Sequence, residues 1–266
     1  VECLSDSVMN YGWYSSRMVK VINHIQLCFP EADILMLGVS DRSRQDDGEF
    51  ETMPAVLALL HAQRQAAKKA GVPFWNVFGA MGGENSMVRF VELNWASKDY
   101  THLSFRGGRE IADALLKALL SEKIFMMKRR KWLISLVVLG VIMGFSVPKP
   151  KAGINGDVSL DSLAVRDTVA LPPLSYSMKV GKDTLILPDS SKAWNNFFNE
   201  LDSLRAGKDT AITIVQLGDS HIQAGHLSGR VMRLFQQAFG NAGRGWIAPF
   251  KLSKTNEPDD YLSIRR

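Results

Sequence analysis

The sequence predicts an α/β fold, a parallel sheet covered by helices on both faces in three layers. Two observations carry that prediction. Through residues 1–122, segments with helical apolar spacing alternate with short, wholly apolar runs, the pattern of strands buried on both sides. Much later, Ile212-Thr213-Ile214-Val215-Gln216-Leu217 opens with four β-branched residues and passes at Gly218 into a second helical pattern.

Taken in order, Tyr14 to Cys28 places Met18, Val19, Ile22, Ile25 and Phe29 at helical spacing, and Pro30 stops it. Ala32 to Val39 is a short apolar run expected to form a strand, and Ser40 to Gly48 is polar and reads as a loop at its C-terminal end. Met53 to Ala70 is a second helix ended by Gly71, and Val72 to Phe78 a second strand. Ala80 to Asn94 reads as loop and short helix. Asp99 to His102 leads through Ser104-Phe105-Arg106-Gly107-Gly108 into a helix from about Arg109 to Leu120.

At Met127 the character changes. Lys128-Arg129-Arg130-Lys131 is followed by an uncharged apolar run, Trp132 to Val147, with small residues at Gly144 and Ser146. A basic start and a short apolar middle describe a secretory signal peptide. The run is shorter than the roughly 20 residues that a spanning helix prefers. Its position in mid-chain suggests two adjoining reading frames, the second beginning at Met126 or Met127. Residues 148–190 are rich in Pro, Gly, Ser, Asp and Lys and read as a tether. Trp194 to Leu204 is an amphipathic helix, and the helix after Ser220 is expected to run from Ile222 to Phe239 through Leu227, Val231, Leu234 and Phe235. Four segments follow: 1–125 and 193–266 as α/β pieces, 126–152 as signal-like or anchoring, 153–192 as linker.

Composition bounds the function. The 266 residues are 46% hydrophobic and 22% charged, ordinary for globular protein. The formal charge of +5 is concentrated around the apolar segment, which argues against a nucleic-acid footprint. The two cysteines, Cys3 and Cys28, are too few for a metal site, and free thiols are expected in preference to a disulfide. The glycine-rich Asn241 to Gly245 lacks the Lys-Ser/Thr of a phosphate-binding loop. No cofactor and no metal are expected.

The chemistry gathers at Gly218-Asp219-Ser220. A serine where a strand hands over to a helix lies beside unpaired backbone N–H groups, so its hydroxyl can attack a carbonyl while nearby donors receive the oxyanion. The bland reading is a helix cap. Acyl transfer also needs a base and a carboxylate to orient it, and Asp99-Tyr100-Thr101-His102 offers both three residues apart. His221, next to Ser220, is expected to point away along the turn as a substrate-side or structural residue. His24 and His61 fall on helices as surface or core residues, and His226 on the post-serine helix.

Gly218-Asp219-Ser220 after an apolar strand resembles the first block of the SGNH/GDSL hydrolases, and the longer run through Ala224, with Phe239 to Gly245, is similar to exported members from Bacteroidetes-type bacteria. Asp99-Tyr100-Thr101-His102 resembles that family's C-terminal Asp-x-x-His block, although here it precedes the serine. The resemblance implies an SGNH-hydrolase or flavodoxin-like three-layer fold, present incompletely. Residues 11–122 resemble the C-terminal half of such an enzyme and 193–266 the N-terminal part of another. It further implies ester hydrolysis, with Ser220 as nucleophile, His102 as base then acid and Asp99 as orienter. The substrates implied are O-acetyl or other esters of carbohydrate or cell-envelope glycan. The oxyanion turn is Gly218, Asp219 and Ser220; the family's further glycine and asparagine donors have no match here. Export to the periplasm or membrane anchoring in a Gram-negative bacterium is expected, with membrane contact through 132–147. A spanning segment there would part base from nucleophile, so weak or no esterase activity is expected. A polysaccharide O-acetyltransferase accessory protein using the same triad, and a catalytically dead, membrane-tethered interaction protein, remain as alternatives.

Overall fold

The computed structural model describes residues 10–121, 185–188, 194–208, 211–218, 220–223, 225–245 and 261. The chain divides into two compact units, 1–118 together with 173–266, and 119–172. Cys3, the apolar segment 132–147, most of the linker and Asp219 lie outside the described residues. Among the described residues no helix is long and apolar enough to cross a membrane.

The first unit is a mixture of helices and two small sheets. Helix α1 spans Gly12–Cys28 and α2 Pro54–Ala70. Proline at the first position of α2 loses no intrahelical bond, and Gly71 ends it in the left-handed region at φ 68°. Ala55, Val56, Leu59, Leu60, Ala66 and Ala67 make up the buried face of α2, in one core with Ile22 of α1. Gln63, on the same face, accepts from the Val39 N–H at 2.8 Å and donates to the Tyr14 hydroxyl at 3.4 Å. One buried amide thus ties both helices to the chain leaving the first strand. Phe29 departs from the expected apolar face: it lies beyond the helix end and is 64% exposed. Cys28 is a free, exposed thiol.

The two apolar runs do form neighbouring strands, but short ones. β1 (Met36–Leu37) pairs in parallel with β4 (Phe74–Trp75). Val77 and Phe78, expected in the second strand, instead enter helix α3 (Val77–Met81), whose cap Asn76 accepts from the Gly79 N–H at 3.0 Å. Helix α4 covers Ser86–Glu92. The sheet is not wholly parallel. β5 (Leu185–Ile186), from the stretch read as a tether, joins β4 antiparallel and buries Leu185. The loop expected over Ser40 to Gly48 instead carries a strand and a turn: residues 43–52 form a hairpin of β2 (Ser43–Asp46) and β3 (Glu49–Thr52), turned by Asp47 and Gly48 at φ 46° and 90°.

A helix α5 runs over 105–121, and α6 over Asn195–Arg205. The expected continuous helix from Ile222 to Phe239 is broken into α7 (Ser220–Gln223) and α8 (Ser228–Phe239). Gly225 takes φ 71° between them, a conformation that other residues adopt only with strain.

The largest departure is at 212–217. Residues 211–218 form no strand, and Ile214, Val215 and Leu217 are 52%, 74% and 75% exposed. Strand preference of β-branched residues expresses packing between neighbouring strands, and this stretch pairs with none among the described residues.

Candidate active site

The candidate base, His102, and the candidate carboxylate, Asp99, are brought together by local geometry. Ala96 and Leu103 bridge antiparallel, and within that bridge the Ser97 N–H donates to the His102 carbonyl at 2.8 Å. The loop closes on Tyr100, whose φ of 53° is left-handed and whose N–H donates to the Ser97 carbonyl. Asp99 then folds back over the turn it begins. Its Oδ1 accepts from the backbone N–H groups of Thr101 and His102 at 2.9 and 3.0 Å, and its Oδ2 lies 2.8 Å from His102 Nδ1. An ionised carboxylate only accepts, so in the neutral imidazole this contact puts the proton on Nδ1 and leaves Nε2 with its lone pair. Burial raises the Asp99 carboxyl, but hydrogen bonds from the His102 backbone, the His102 ring and the Thr101 N–H outweigh it and hold the group below its ordinary value. Both side chains remain about half exposed, 47% for His102 and 50% for Asp99, so the dyad is open to a ligand from solvent.

The hairpin β2–β3 forms one wall of this loop. Phe50 stacks face to face on Tyr100, with centroids 3.7 Å apart and planes 9° apart, and the Ser43 N–H donates to the Tyr100 carbonyl. The hairpin is pinned in turn by Asp41, which is fully buried. It accepts from the Met87 and Arg42 N–H groups at 2.8 and 2.9 Å and from the Thr52 and Ser86 hydroxyls at 2.9 and 3.3 Å. Burial raises its carboxyl above the ordinary value, and those four bonds oppose the rise.

The serine arm comes from the other end of the chain and sits beside this loop. The rings of His221 and His102 stack with centroids 5.5 Å apart and planes 26° apart. His221, expected to point away along the turn as a substrate-side or structural residue, has its ring against that of His102. Ser220 is the first residue of α7, so its backbone stands one residue from that stack. Gly218 lies close against α7: a Cβ there would run into the tip of the Ile222 side chain.

Three contacts hold the arm. His226, in the turn between α7 and α8 rather than within a helix, has Nδ1 2.9 Å from the Leu103 carbonyl oxygen and packs on Phe105. Gly108 lets that turn approach, since a Cβ there would come within 2.5 Å of the His226 carbonyl oxygen. Arg230 of α8 forms a two-pronged ion pair with Asp113 of α5, at 3.0 and 3.2 Å. Further off, Asp33 Oδ2 accepts from the Phe197 N–H at 2.7 Å at the start of α6. His24 is beside Cys28, with Nε2 3.7 Å from Sγ, and His61 is exposed on α2; neither takes part. Among the described residues no three His, Cys, Asp or Glu side chains gather as metal ligands.

Sequence reading missed His221 as a neighbour of the base, and no spacing signal could have found it, because the contact spans more than a hundred residues. It missed the hairpin wall despite a usable signal, the Asp47-Gly48 turn.

No protein-family model and no curated protein matches this chain. Among solved structures, one described as "Peptidoglycan O-acetylesterase in action, 5 min" aligns at 26% identity with a TM-score of 0.32. The alignment covers 34% of this chain and 26% of that one, so this chain spans about a quarter of that protein's length.

Proposed function

We propose that this chain carries a serine esterase site of the SGNH/GDSL type, formed by Ser220, His102 and Asp99. The observation that supports the reading is the docking of α7, which begins at Ser220, against an imidazole whose Nδ1 is already gripped by a carboxylate at 2.8 Å. That contact brings together two segments far apart in sequence.

In this reading His102 Nε2 takes the proton of the Ser220 hydroxyl as its oxygen attacks the acyl carbon. Asp99 holds the resulting imidazolium, a role that suits a carboxyl already held below its ordinary value. The Ser220 N–H supplies one donor to the oxyanion. The imidazolium then protonates the departing alcohol, and water, deprotonated by the same imidazole, releases the acid and regenerates the serine. The substrates proposed are O-acetyl or other esters of carbohydrate or cell-envelope glycan, reached from the open side of the dyad. With one oxyanion donor in hand, turnover is expected to be slow.

The test is hydrolysis of p-nitrophenyl acetate by the purified full chain, with labelling by a fluorophosphonate probe. Ser220→Ala is expected to abolish both. Turnover and labelling that survive the substitution undiminished would refute the assignment.

A further inference from the structure

We infer that His221 is a positioning residue for His102: its ring, stacked on the face of the base, and Asp99 on the edge together hold the imidazole in one orientation. The inference rests on the reading of His102 as the base, and adds to it a residue that acts without touching the reacting atoms.

A hydrogen bond at Nδ1 alone leaves an imidazole free to tilt about the axis through that nitrogen. A second constraint matters for His102 because it stands in an open loop with its side chain nearly half exposed. The His221 ring supplies a flat surface at 5.5 Å and 26°, within the range of offset aromatic pairs. Edge and face then restrain different motions. Asp99 selects Nδ1 for the proton only while the ring keeps the plane that meets its carboxylate, and His221 holds that plane, in which Nε2 and its lone pair also lie. The location is economical, since the residue supplying the flat surface is next in sequence to Ser220. One short helix therefore brings the serine and orients its base, so α7 cannot shift without disturbing both. A base misaimed by a small tilt loses proton transfer more than substrate binding.

The experiment uses the full chain labelled with ¹⁵N and long-range ¹H–¹⁵N correlation of the imidazoles, with His102 assigned by the signals lost in His102→Gln. Wild type is expected to show His102 in one tautomer, protonated at Nδ1. His221→Ala is expected to average the His102 tautomers and to lower kcat about tenfold at unchanged KM, whereas His221→Phe, which keeps the flat ring, stays within about threefold of wild type in kcat and keeps the tautomer. If circular dichroism shows the alanine variant unfolded, His221→Asn, which has no ring but keeps a polar side chain, takes its place with the same expectations. A His102 tautomer pattern unaltered in the ringless variant would overturn the inference, as would a phenylalanine variant as impaired as alanine. The magnetic resonance readout needs no turnover. If Ser220→Ala left hydrolysis intact, the esterase reading would fail while the tautomer pattern still decided the role of His221.

Discussion

Arg230→Ala tests the closure on which the site depends. The Arg230–Asp113 pair joins α8 to α5 across 117 positions of sequence, with the Asp113 side chain only 10% exposed and that of Arg230 25%. Removing one partner of a buried pair leaves the other charge in a poor solvent and costs about 3–5 kcal/mol. The guanidinium is a quarter in water and water can reach the pair, so about 2–3 kcal/mol is the better expectation here. At 1.4 kcal/mol per tenfold, that raises the opening constant of α8 by about 30- to 150-fold. Hydrogen exchange followed by mass spectrometry reads it directly: amides of Ser228–Phe239 should exchange faster by that factor, while those of Pro54–Ala70 keep wild-type rates. A cycle with Asp113→Asn separates the pair's coupling from the cost of the orphaned carboxylate. Unchanged exchange in α8 would refute the docking, and equal acceleration in α2 would show that α8 does not open as a local unit.

Asp99→Asn should lower kcat for p-nitrophenyl acetate about 10²- to 10³-fold with little change in KM, because the amide can present the wrong hydrogen-bonding group to Nδ1; a wild-type kcat would remove Asp99 from the site. Asp41→Ala orphans two backbone N–H groups and two hydroxyls in the core, and urea unfolding should show a loss of about 3–5 kcal/mol. The two carboxyls act oppositely with pH. Asp99, lowered in the folded state, contributes stability that is present above the ordinary carboxyl range and lost as pH falls through its folded value. Asp41, raised, holds its proton longer when folded, so its contribution falls as pH rises from the ordinary range through its folded value; urea midpoints of Asp41→Asn against pH should lack that fall.

Local signals made part of this fold legible. Pro54 and Gly71 bracket α2 because one tolerates a missing N–H and the other a left-handed end, and both effects act within a single turn of chain. Asp99 and His102 were legible for the same reason, since a three-residue return needs no distant partner. Leu185–Ile186 was illegible: two apolar residues in a polar stretch become a strand only because β4 offers an open edge. The break at Gly225 was hidden by apolar spacing that continues across it from Ile222 to Leu234. Ile212 to Leu217 failed in the opposite direction. Its composition describes a strand between neighbours, and composition carries no information on whether neighbours are there.

That failure bears on how the site is held. In the arrangement the sequence implies, a buried strand would deliver Ser220, and a sheet ladder would fix its position. Here residues 211–218 carry three large apolar side chains in solvent and no ladder. The restraint on the serine arm has moved downstream of it, to the His226–Leu103 hydrogen bond, the Gly108 approach and the Arg230–Asp113 pair. These are a few polar contacts and one tight backbone fit, each worth little more than a kilocalorie or a few, in place of a cooperative sheet. The expectation of weak activity thus acquires a different physical basis. Ser220 and His102 both belong to one compact unit. An arm held by a few such contacts opens more readily than one held in a ladder, and the fraction of time spent in register would multiply directly into the rate. Contacts that tighten α8 on α5 should therefore raise kcat without touching the dyad, and those that loosen it should lower kcat in proportion to the opening they cause.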